Sequence, residues 1–232
     1  MTKESEETVN EEKKKKFRKL VLEWGKNGIR DYPWRQKKTP YRVLISEILL
    51  TRTKAEQVLP VYKEFIKTYP NIRSFLKMDL NLVEEIIKSL GLLFRAEMLK
   101  EIAIKLKNEF KGNIPNSLKE LKSLKGIGDY GANAILCFGF GQKRPLIDAN
   151  FIRIYLRVFG IKPKTKTAKN DKFLWQFAEK LLPDTKFIQY NYSILDLGGQ
   201  ICRARTQDCK ICPVNDICLK RENEHLNQIN SI

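Results

Sequence analysis

The chemistry in this sequence is concentrated in four cysteines, two carboxylates and one glycine turn. Cys202, Cys209, Cys212 and Cys218 follow one another as C-x6-C-x2-C-x5-C. Four thiolates so close in sequence can converge on one inorganic centre, and zinc suits four such ligands. The first sixteen residues are rich in Glu and Lys and lack the apolar region of a signal peptide, so an intracellular location, cytoplasm or nucleoid, is expected. In a reducing compartment two disulfides are the weaker reading of the four cysteines. The fifth cysteine, Cys137, stands among Ile135, Leu136 and Phe138 and reads as packing. The lone histidine, His225, lies in a polar tail, which leaves no histidine-based mechanism.

Glu47 interrupts the apolar stretch Val43, Leu44, Ile45, Ile48, Leu49 and Leu50. A carboxylate so placed either loses hydration, which raises its pKa, or snorkels to solvent at the helix edge. Asp148 lies past Pro145 and just before the helically spaced Phe151, Ile154, Tyr155 and Val158. A carboxylate there caps a helix, and the same position can face a ligand with negative charge that the helix start keeps ionised. Between a helix expected over 117–124 and another over 130–138 comes Gly126-Ile127-Gly128. Glycines let the backbone turn tightly and present amides at the head of the second helix, a place a phosphate would fit.

The elements that must position these groups read as helices throughout. Apolar residues recur at helical spacing over 17–24, from residue 41 to the polar stop at Thr51-Arg52-Thr53, and over 58–66, 82–90, 96–110, 171–182 and 187–197. A short helix is expected within 70–78, and no segment alternates convincingly as a strand, so the fold class is all-α. Residues 1–16 are too polar to bury and read as a disordered tail. The 232 residues, 42% hydrophobic, can build a real core, and no apolar run approaches the roughly 20 residues of a membrane span. The net charge of +17 suits a polyanionic partner unless it reflects only a lysine-rich proteome.

Together the hairpin, Asp148 and the cysteine spacing resemble the helix–hairpin–helix, Gly/Pro-Asp (HhH-GPD) superfamily of base-excision DNA glycosylases, which includes endonuclease III and the MutY adenine glycosylases. The likeness covers about residues 17–218. It implies two helical domains with a DNA cleft between them: a six-helix barrel over 39–142, and an iron–sulfur domain joining 17–38 to 143–232. It also implies that the four cysteines hold a [4Fe–4S] cluster, that Gly126 and Gly128 grip a DNA phosphate, and that Arg203 and Arg205 approach another. Asp148 would then face the sugar, Glu47 would move protons or activate water, and Arg52 would fill the space of the flipped nucleotide.

Bifunctional members of this superfamily carry a lysine two residues after the hairpin's second glycine, and this chain has Tyr130. A phenol cannot form an imine with the sugar, so the resemblance implies a monofunctional enzyme, unless Lys125 or another lysine substitutes. Tyr130 would line the pocket of the flipped base. Pro33-Trp34-Arg35 and Ser46-Glu47 are similar to both the adenine enzymes and the mismatch-specific thymine/uracil glycosylases. Tyr130 and Leu49-Leu50-Thr51-Arg52-Thr53 resemble the second group more, although Thr51 departs from its Leu-Leu-Arg-Arg-Thr. The chain stops fourteen residues after Cys218, which leaves no room for a MutY C-terminal domain. Residues 91–97 depart from both groups and bear on which base is read opposite the target.

The expectation is therefore a monomeric glycosylase that hydrolyses thymine or uracil mispaired with guanine from double-stranded DNA, with no membrane partner. An adenine glycosylase lacking its C-terminal domain is the alternative. A non-catalytic DNA-binding module is a third reading, and retention of both carboxyls argues against it.

Overall fold

The computed structural model describes residues 10–165, 167 and 170–222; His225 lies outside them. No strand occurs among the described residues, and none of their helices is long and apolar enough to cross a membrane. Two compact units result, one of Asp31–Gln142 and one joining Met1–Arg30 to Lys143–Ile232.

The first unit holds α2 (Pro33–Gln36), α3 (Pro40–Leu50), α4 (Ala55–Thr68), α5 (Ile72–Phe75), α6 (Leu80–Ile87), α7 (Phe94–Glu109), α8 (Leu118–Lys122) and α9 (Asp129–Ala134). Proline opens α2 and α3, at a position where the missing N–H costs no helical bond. Thr39 caps α3 by accepting the Arg42 amide at 3.3 Å. Helix α3 is the centre of this unit: Leu44, Ile45 and Leu49 have no exposed surface, and α4, α9 and a π-helical turn, Ile135–Gly139, pack on it. The expected helix over 130–138 is thus α9 continued by that wider turn, and Cys137 is buried within it.

The second unit holds α1 (Glu11–Gly28), α10 (Ala149–Phe159), α11 (Lys172–Leu181) and α12 (Phe187–Gln200), followed by the cysteine loop. Helix α12 packs against both α1 and α10. Phe17 meets Phe159 edge-on at 4.9 Å, which joins the first helix to the end of α10. The buried Asp196 carboxylate accepts the Arg30 amide at 2.8 Å, Nε at 2.9 Å and NH2 at 2.8 Å, which ties the end of α1 to α12.

Two expectations about the chain's ends and boundaries change. Residues 11–16 are helical rather than a tail: Asn10 accepts the Glu12 amide at 2.8 Å, Glu11 and Glu12 suit the positive end of the helix dipole, and Lys14 pairs with Glu11 at 2.6 Å. Residues 1–9 lie outside the described ones. The unit boundary falls at Arg30 rather than after residue 38, because 31–38 bury their aromatics within the first unit. Tyr32 stacks on Trp34 at 4.6 Å, Trp34 meets Tyr62 edge-on at 5.2 Å, and the Tyr32 hydroxyl bonds Glu56 at 2.8 Å.

Asp196→Ala should destabilise the protein by about 3 kcal/mol, because it removes a buried carboxylate that accepts three bonds from Arg30. Thermal unfolding should show a fall of roughly 6–12 °C in Tm; an unchanged Tm would mean that the pair contributes nothing.

Candidate active site and cysteine loop

In the first unit, the hairpin joins α8 to α9. Gly126 adopts φ +75°, a conformation that favours glycine, and a Cβ there would press on the flexible Met98 side chain, 2.3 Å from its sulfur. Gly128 precedes α9, and a Cβ added to it would meet no atom within 4 Å. The head of α9 beside Gly128 therefore faces open space. Lys122 and Asp129 close the hairpin with an ion pair of 2.5 Å. Lys125 bonds Glu101 at 3.5 Å from an exposed position. Tyr130, the second residue of α9, is half-buried.

Glu47 is half-buried near the end of α3, with buried Ser46 and Ile48 beside it. Its carbonyl accepts the Thr51 hydroxyl at 3.0 Å, which starts the turn carrying Arg52. Arg52 is exposed and left-handed, with φ +56°, an unfavourable conformation for a residue with a Cβ.

In the second unit, Asp148 caps α10. Its carboxylate accepts the Asn150 amide at 2.8 Å, the Phe151 amide at 3.0 Å and the Asn150 side-chain Nδ2 at 2.8 Å. Burial nevertheless outweighs these donors and nearby Arg153, and raises the Asp148 pKa above the usual aspartate range. The dipole and amides favour the carboxylate, and desolvation at this half-covered position opposes them more strongly.

Asn150 and Arg153 were not among the expected site residues. Asn150 Oδ1 accepts Arg153 NH2 at 2.6 Å, the same NH2 donates to the Gly198 carbonyl at 2.8 Å, and Arg153 Nε donates to the Cys202 carbonyl at 2.6 Å. A continuous chain of bonds thus runs from Asp148 to the first residue of the cysteine loop. A Cβ on Gly198 would stand 2.5 Å from Asn150 Cβ, so glycine is what lets α12 approach α10 here. The sequence did hold a signal: residues 148, 150 and 153 are the polar positions interleaved with the buried Phe151, Ile154 and Tyr155.

The four cysteines line one small cavity together with Ile154, Arg157 and Leu197. Among the described residues no three His, Cys, Asp or Glu side chains are gathered so as to hold a single metal ion. Burial pushes the Cys212 thiol up to about 11, against the Val214 amide, and the other three thiols push it the same way. Arg157 NH1 donates to Cys202 Sγ at 3.3 Å and to the Arg203 carbonyl at 2.8 Å, and NH2 donates to the Ala204 carbonyl at 3.1 Å. Arg203 and Arg205 are exposed on the loop so held.

Residues 45–180 match the family described as HhH-GPD superfamily base excision DNA repair protein. The chain belongs to that superfamily. A thymine/uracil-DNA glycosylase of Pyrobaculum aerophilum is 37% identical over 89% of this chain and 94% of its own. An adenine DNA glycosylase of Buchnera aphidicola subsp. Baizongia pistaciae is 35% identical over 92% of this chain, but over only 61% of its own. Among solved structures, that of a thermostable thymine-DNA glycosylase superposes with a TM-score of 0.85, at 34% identity, over 93% of this chain and 100% of that one.

Gly198→Ala should displace Asn150 and so misplace the Asp148 carboxylate of this superfamily member. Single-turnover base release should fall roughly 10–100-fold while duplex affinity stays within a few-fold. Unchanged release would mean that the bonds from Asn150 to Asp148 do not set its position.

Proposed function

We propose that this DNA glycosylase hydrolyses the N-glycosidic bond of thymine or uracil mispaired with guanine in double-stranded DNA and leaves the strand intact. The observation that carries the reading is Tyr130, half-buried two residues after Gly128, in a chain whose likeness to a thymine/uracil-DNA glycosylase runs almost end to end. Tyr130 supplies no amine for an imine and is instead a wall of the base pocket. The open amides after Gly126 and Gly128 take a DNA phosphate, as do Arg203 and Arg205, and Arg52 enters the stack where the target nucleotide leaves it. The enzyme acts as a monomer inside the cell.

In the reaction the C1′–N1 bond breaks and its electron pair leaves with the pyrimidine. Ionised Asp148 stabilises the positive charge that develops on the sugar. Water adds to C1′, and Glu47 takes up its proton. The acid limb of the rate follows from the direction of the Asp148 shift. Its raised pKa means that the carboxylate is lost at a higher pH than the ordinary value of about 3.9.

Cys202, Cys209, Cys212 and Cys218 would hold a [4Fe–4S] cluster. All four line one cavity, and Arg157 donates to the Cys202 sulfur. When bound, the cluster supplies four iron–thiolate bonds that cross-link this loop of the second unit.

Asp148→Asn should lower base release roughly 10²–10³-fold with duplex binding retained. Its folded pKa is raised, so the carboxyl's contribution to stability is complete below the unfolded pKa and is lost as pH rises through the folded one. At neutral pH the variant should therefore melt no lower than the parent, and equal loss of binding and release would make the residue structural. End-labelled duplexes containing G·T, G·U, A·8-oxoguanine and A·G, read with and without hot alkali, test the substrate. Cutting at T or U only after alkali is expected, cutting at A moves the assignment to the adenine enzymes, and cutting without alkali overturns the use of Tyr130.

A further inference from the structure

Arg95 is the largest side chain with no exposed surface, although arginine is rarely buried unless paired. No carboxylate pairs with it among the described residues, and its Nε and NH1 have no hydrogen-bond partner. Its bonds converge on one place: NH2 donates to the Thr51 carbonyl and, at 2.6 Å, to the Thr53 hydroxyl. Those two residues flank Arg52. The Thr53 amide bonds the Leu50 carbonyl at 3.1 Å and the Thr51 hydroxyl bonds the Glu47 carbonyl at 3.0 Å, so the turn is built directly on the end of α3.

Stability does not explain this arrangement. A buried guanidinium with two unmatched donors costs more than an aliphatic chain of similar volume would. What the guanidinium does supply is a fixed, charged donor at the negative end of the α3 dipole, on a carbonyl that otherwise has only the Thr53 hydroxyl at 3.4 Å. Arg52 holds its left-handed backbone only while its surroundings over-determine it. The Thr51 and Thr53 anchors are those surroundings.

We propose that Arg95 is a positioning residue for Arg52: from inside the first unit it pins residues 51 and 53, aims the exposed guanidinium between them, and so sets how readily a paired target base is extruded. The inference rests on the stack-filling role given to Arg52 above. Arg95 itself touches neither substrate nor reacting atoms, and its effect is carried by the turn.

The test compares the parent, Arg95→Met, Arg52→Ala and the double variant in single-turnover release of uracil. One duplex holds uracil opposite guanine; the other holds it opposite an abasic-site analogue, where there is no pair to break. Arg95→Met is expected to slow release from the paired duplex about tenfold or more, from the loss of two charge-assisted bonds. Release from the unpaired site should change far less, Tm should not fall, and the double variant should be no slower than Arg52→Ala. Equal slowing on both duplexes, or losses that multiply in the double variant, would overturn the proposal and leave the role of Arg52 standing. Full activity of Arg52→Ala would overturn that role and the proposal with it. If Arg95→Met does not fold, Thr53→Val removes one of the two acceptors from a half-exposed position, and the same pattern is expected from it.

Discussion

A single carboxylate held out of water at the head of α10 is the constraint to which much of the second unit answers. Asp148 is covered enough that burial raises its pKa even against three hydrogen bonds, and each donor around it favours the charged form. Asn150 provides two of those donors and is itself held by Arg153, which bonds the carbonyls of Gly198 and Cys202. The end of α12, the start of α10 and the first turn of the cysteine loop are thus tied to one negative charge. The absence of a Cβ at Gly198 is what makes the approach sterically allowed.

The same logic relates the cysteine loop to the rest of this unit. Burial, helped by the neighbouring thiols, raises the pKa of Cys212 and Cys218. A bound cation would favour their thiolates. Arg157 supplies a donor to Cys202 while bonding the carbonyls of residues 203 and 204, so the sulfur environment and the exposed Arg203 and Arg205 share one support.

Much of the fold was legible in the sequence because its signals are local. Helical spacing and polar stops located most elements, and Gly126-Ile127-Gly128 marked the hairpin through a left-handed turn at Gly126 that favours glycine. The helical state of residues 11–16 was missed because composition outweighed a cap at Asn10 and an ion pair one turn long. The boundary after Arg30 depends on aromatic contacts from Tyr32 and Trp34 to Tyr62, which spacing cannot reveal. At the site, Asp148 and the cysteines could be named from pattern alone, whereas the supporting residues could not. Arg95 is one more basic residue in a sequence with 44 of them, and only its burial and its two bonds to the 51–53 turn set it apart.

Three locally unfavourable features coincide with residues assigned to DNA chemistry. A desolvated carboxylate at Asp148, a left-handed backbone at Arg52 and a buried guanidinium with unmatched donors at Arg95 each oppose folding. All three occur at or directly behind residues assigned to DNA chemistry, although left-handed backbone also occurs at Lys111 and Lys186, while the cores around Leu44 and Tyr190 bury mostly apolar and aromatic groups. A sequence selected for stability alone would exchange Arg95 for a methionine or leucine and Asp148 for an asparagine or serine cap. That these positions keep charge where neutral groups would fold more easily is what a catalytic requirement predicts, and a passive DNA-binding module would have no reason to bear it.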